Sequence, residues 1–118
     1  MSTSFTVHQQ EPYTVIEFIT PSLMDPVELE RIAQELYRLI EAEDRRKIIL
    51  DFEKVKYMSS QALGIIMAMR KKMAALKHTT LILCSVCPPL AQLLKMTGLD
   101  KLLTVKPTQR EALKVVPA

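Results

Sequence analysis

The chain reads as an α/β protein of two layers, a mixed and mostly parallel sheet of about five strands covered by four helices. Three observations lead there. The runs Lys47 to Phe52 and Thr79 to Cys84 are apolar, of strand length, and as continuously hydrophobic as strands buried inside a sheet. Segments at helical spacing follow each of them. Such alternation from Tyr13 onward implies parallel strands joined by right-handed crossovers. If strand order follows chain order, the crossover helices share one face of the sheet and the other face is only partly covered.

The elements can be justified in turn. Phe5 to Gln9 and Tyr13 to Ile19 read as short strands joined tightly by Gln10-Glu11-Pro12, which makes an antiparallel hairpin. Asp25-Pro26-Val27-Glu28 combines an N-cap acid, proline at the first helical position and a glutamate placed for a capping box. The helix it starts carries Leu29, Ile32, Ala33, Leu36, Leu39 and Ile40 on one stripe, with Glu28, Arg31, Glu35, Arg38 and Glu41 toward water. After the strand from Lys47, Ala62 to Leu76 has helical spacing. Pro88-Pro89 opens a third helix. Met96-Thr97-Gly98-Leu99 fits its left-handed cap, with Leu99 returning to the core. Leu102 to Val105 is the expected last strand. Thr108-Gln109-Arg110-Glu111 starts a terminal helix with Leu113 and Val116 available for packing.

Composition narrows the functional classes. A chain of 118 residues, 48% apolar and 25% charged, is expected to be a single domain over 1–118 that folds without disulfides. Its apolar runs fall short of the roughly 20 residues of a membrane span, and no apolar signal core opens it. The expectation is a cytoplasmic protein with no membrane insertion. The net charge of +3 is spread among acids. Its densest groups, Arg45-Arg46-Lys47 and Arg70-Lys71-Lys72, lack stacking aromatics and read as solvated surface, so no nucleic acid partner is expected.

Chemistry concentrates where the central strand hands over to a helix at Ser59 and Ser60. Free N–H groups and the macrodipole at a helix start favour a serine cap, an anion or a phosphate. Only two glycines occur, too few for a phosphate-cradling loop, and no cofactor is expected. Cys84 and Cys87 form a Cys-x-x-Cys, but zinc needs about four ligands and only His8 and His78 could join them. Buried small hydrophobes are the simpler reading, so no metal is expected. No nucleophile and base stand in a recognisable motif, which leaves no catalytic residues and no enzyme. Asp51, Glu53 and Asp100 read as isolated surface carboxylates. Met67 and Met69 lie on an unusually apolar helix start, where they could pack in the core or dock another chain.

The order and spacing of four segments carry a resemblance. Ile49-Leu50-Asp51-Phe52 leads to Tyr57-Met58-Ser59-Ser60-Gln61-Ala62-Leu63-Gly64, then Leu81-Ile82-Leu83-Cys84, then Met96-Thr97-Gly98-Leu99-Asp100-Lys101-Leu102. Over nearly its whole length the chain resembles the STAS domain, specifically the bacterial anti-sigma factor antagonist family. The resemblance implies a non-catalytic protein that binds an anti-sigma factor, often also a serine kinase, and thereby frees a sigma factor for transcription.

Regulated members of that family run Asp-Ser-Ser-Gly-Leu-Gly or Asp-Ser-Thr-Gly-Leu-Gly, with phosphate on the second hydroxyl residue. Aligned back from Leu63-Gly64, Gln61 takes the acceptor's place, Ser59 the aspartate's, Ser60 the preceding serine's and Ala62 the glycine's. Ser60, then Ser59, are therefore the phosphoacceptor candidates. The expected partner-binding set is Met58, Ser59, Ser60, Gln61, Ala62, Leu63, Gly64 and Met67. A phosphate there would repel a partner presenting acids or apolar surface without unfolding the domain. The plainer alternative is that both serines only cap the helix. A constitutive scaffold or accessory subunit of a stress-signalling or membrane-lipid transport complex is the second functional reading, and the partly covered sheet leaves a homodimer open. An enzyme or nucleotide-binding protein is the third.

Overall fold

Strands and helices alternate as the apolar periodicity requires in the computed structural model, which describes residues 4–117. Strand β1 (Phe5–Gln10) pairs antiparallel with β2 (Tyr13–Phe18), Phe5 opposite Phe18. Two short strands, β3 (Ser22–Leu23) and β5 (Tyr57–Met58), form a separate parallel pair. The main sheet continues in parallel through β4 (Lys47–Asp51), β6 (Thr80–Cys84) and β7 (Thr104–Lys106). Its order is β1-β2-β4-β6-β7, so the main-sheet strands lie side by side in chain order, as expected from the short crossovers.

Helices α1 (Pro26–Glu41), α2 (Ser60–Ala74) and α3 (Pro88–Met96) supply those crossovers. The α1 stripe is buried at the six positions the sequence indicates, and the Asp25 carboxylate accepts the Val27 N–H at 3.1 Å. Alternation along the central strand divides the core in two. Ile48 and Leu50 join α1 and α2 in the larger cluster, whereas Ile49 joins Tyr13, Val15, Ile82 and Cys84 in a smaller one with Ala112. Ala112 belongs to α4 (Gln109–Leu113), which packs against β4, β6 and β7.

Helix α2 begins at Ser60 with Ser59 as its cap, the serine-led start the sequence indicates. Three expectations need correction. Gly98, at φ +76°, ends α3 as expected. The chain then makes a 3-10 turn over Leu99–Lys101, so Leu102 is left 48% exposed and the last strand starts only at Thr104. Val116 points to solvent at 87% exposure, and Leu113 and Val115 flank Ala112 in its place. Asp51 is not a surface carboxylate. Pairing of β2 with β4 sets Glu17 opposite Asp51, and the Gln109 amide donates to both, at 2.8 and 2.7 Å. The remaining Asp51 oxygen accepts the Glu53 N–H at 2.9 Å, which satisfies a buried charge that would otherwise be costly.

Candidate functional site

The short β3–β5 pair fixes the junction that leads into α2. The Pro21 carbonyl accepts the N–H groups of Lys56 and Tyr57 at 2.7 and 3.2 Å, and the Leu23 carbonyl accepts that of Ser59 at 3.0 Å. The start of α2 is thereby tied beside the start of α1. Gln61 reaches across to the Pro26 carbonyl with its amide nitrogen at 3.5 Å.

Ser59 and Ser60 occupy different roles. Ser59 is the N-cap in extended conformation, and its hydroxyl oxygen accepts the Ala62 N–H at 3.3 Å. Ser60 is the first helical residue; its side chain is exposed and has no hydrogen-bond partner among the described residues. No acid lies in the first turn of α2, so the positive end of the helix is left unneutralised by its own side chains. Among the described residues no basic group bonds the Ser60 hydroxyl, so none is placed to activate it as a nucleophile.

The helical period sorts the remaining residues. Met58, Ala62 and Leu63, expected at a partner surface, turn into the core at 9, 3 and 8% exposure. Met69 is fully buried as well, so it packs and does not dock. Ser60, Gln61 and Gly64 are exposed, and Ser59 and Met67 are half-buried. A Cβ added at Gly64 would meet nothing within 4 Å, so the fold does not require glycine there. Sequence reasoning missed the apolar residues beside this surface. Tyr57 is the first residue of β5, Met24 follows β3, Val27 follows Pro26, and all three are exposed. The only signal for them is their place next to the α1 and α2 starts, since none belongs to a periodic stripe.

The cysteines lie apart from this junction. Burial, reinforced by the Asp51 carboxylate, pushes the Cys84 thiol up to about 12, the opposite of what a reactive thiolate needs. Cys87 caps α3 without a side-chain hydrogen bond. Among the described residues, no three His, Cys, Asp or Glu side chains stand together to hold a metal ion, and no helix is long and apolar enough to cross a membrane.

A model of the STAS domain matches residues 5–112. Among solved structures, the chain is similar to an anti-sigma-factor antagonist (STAS) domain protein from Planctomyces limnophilus, with 26% identity, 96% of both chains covered and a TM-score of 0.83. An anti-sigma factor antagonist from Mycobacterium paratuberculosis shares 22% identity over 96% of both chains at a TM-score of 0.82. The phosphorylated form of the Bacillus cell fate determinant SpoIIAA shares the fold at a TM-score of 0.72, with 22% identity over 92% of this chain and 96% of that one.

Proposed function

Because the chain belongs to the STAS domain family, we propose that it is a non-catalytic, cytoplasmic regulatory module, an anti-sigma factor antagonist that binds an anti-sigma factor/serine kinase and so releases a sigma factor. One observation carries this reading. The α2 start presents an unpaired Ser60 hydroxyl at a positive helix end, beside exposed Tyr57, Met24 and Val27, an apolar and polar mixture suited to a protein partner. The likeness to the Planctomyces limnophilus protein supports the same assignment.

Serine phosphorylation would switch the module. Ser60 is the better acceptor, because its hydroxyl is exposed, whereas Ser59 is half-buried with its oxygen already engaged by the Ala62 N–H. A phosphate adds about −1.5 to −2 charge, which the helix end tolerates and an acidic or apolar partner surface does not. Gln61, exposed in the place of the family's usual acceptor, favours a second reading: a constitutive scaffold or accessory subunit of a stress-signalling or membrane-lipid transport complex.

Co-purification from native cells separates the readings. An anti-sigma factor in the complex supports the first, a scaffold or transporter subunit supports the second, and stoichiometric nucleotide without protein overturns both. Incubation with the co-purified kinase, followed by mass spectrometry, should place phosphate on Ser60. Phosphate on neither serine removes the switch.

A further inference from the structure

The basic group Arg45-Arg46-Lys47, assigned by charge pattern to solvated surface, lies instead along an open cleft of about 260 Å³. It sits where β4 begins, at the opposite end of that strand from the Ser59 junction. The other walls are Gln9 and Pro12 of the β1–β2 hairpin, Thr14 of β2, and Asp44.

Both arginines are held in place by the protein. Arg45 donates to Glu43 at 3.1 Å, to the Thr14 hydroxyl at 3.2 Å and to the Gln9 side-chain carbonyl. Arg46 donates to Asp44 at 2.9 Å and to the Lys77 carbonyl at 2.7 Å. Their side chains are only 32 and 34% exposed. A guanidinium has about five N–H donors, so Arg46 keeps most of its fork free. Lys47 is half-buried and its ammonium has no partner among the described residues.

Nearby acids leave the balance positive. Asp44, the carboxylate in the lining, is taken by Arg46. Glu43, behind Arg45, is shared with Arg38, and its hydrogen bond from Arg45 is the main influence holding its carboxyl below the ordinary range. Glu11 is turned to the Gln9 amide at 3.0 Å.

We propose that this cleft binds a small, soluble phosphate monoester. A planar donor fork beside a compact ammonium matches the oxygens of one phosphate group. Among the described residues no aromatic ring lines the cleft, so none is placed to stack on a nucleobase. Among the described residues Pro12 is the one apolar member of the lining, which leaves an acyl chain little surface to cover. The volume lies just under the roughly 300 Å³ at which pockets for larger ligands begin.

Inorganic phosphate and glycerol phosphate, titrated into the full 15N-labelled chain at constant ionic strength, provide the test. Saturable shifts are expected at the amides of Gln9, Thr14 and residues 44–47. Lys47→Gln, which removes no hydrogen bond or ion pair among the described residues, should weaken the binding about tenfold, whereas Lys71→Gln should not change it. Shifts that rise linearly without saturation, or that persist unchanged in Lys47→Gln, overturn the proposal. Sedimentation with phosphatidylglycerol vesicles, in the absence of any response to the two soluble anions, overturns it in favour of a lipid surface.

Discussion

The hydroxyl oxygen of Ser59 accepts the main-chain N–H of Ala62 at 3.3 Å. That bond satisfies one of the donors a helix start leaves open. The neighbouring Ser60 hydroxyl satisfies none. Ser59→Ala should therefore lower unfolding stability by about 1 kcal/mol, while Ser60→Ala should stay within about 0.5 kcal/mol of the parent. Urea unfolding of both variants checks the contrast. Equal losses would mean that the two serines cap the helix together.

Gly64 lies in the interior of α2 with open space where a Cβ would stand. Glycine at such a position costs a helix about 0.5–1 kcal/mol relative to alanine. Gly64→Ala should thus raise the urea midpoint. A partner that approaches this backbone closely should bind the variant more weakly, as calorimetry with the co-purified partner would read. Unchanged affinity would place the interface away from this turn.

Met67 and Met69 separate docking from packing. Met69 is fully buried and Met67 half-buried. Met69→Lys should cost on the order of 3–5 kcal/mol by burying an unpaired charge. Met67→Lys should leave the melting temperature nearly unchanged and weaken partner binding. Thermal melts and pull-downs of the two variants give the comparison, and parallel losses of stability and binding would assign both methionines to the core.

The Cys84 thiol, raised from 9.0 to about 12 chiefly by burial, makes stability depend on alkaline pH. Below about pH 9 folded and unfolded chains both keep the proton, and the contribution is complete. As pH rises from 9.0 toward about 12, only the unfolded chain releases it, so stability falls. Tyr13, also raised by burial, acts in the same direction. Cys84→Ala should show a shallower decline in unfolding free energy between about pH 9 and 11. Identical slopes in denaturant titrations would show that the thiol titrates alike in both states.

Local chemistry made much of the fold legible. The Asp25-Pro26 start and the stripe from Leu29 to Ile40 specify α1 through capping and a period of about 3.6 residues, both read within a few turns of chain. Gly98 marks the end of α3 in the same way, because positive φ suits glycine. The order β1-β2-β4-β6-β7 was legible for a related reason: short right-handed crossovers keep successive main-sheet strands adjacent. Strands β3 and β5 were not, since two residues each cannot display a period.

By itself the sequence determined the main elements, their order and the serine-led start of α2, because caps and apolar repeats act between neighbours along the chain. Only the tertiary structure decided which side of α2 each residue presents, turning Ala62, Leu63 and Met69 inward and leaving Ser60 and Gly64 outside. It also decided that Gln109 bridges Glu17 and Asp51, and that Arg45, Arg46 and Lys47 line a cleft. Such partners are brought together by strand register and helix packing, and separations of 92 and 58 residues leave no trace in local pattern.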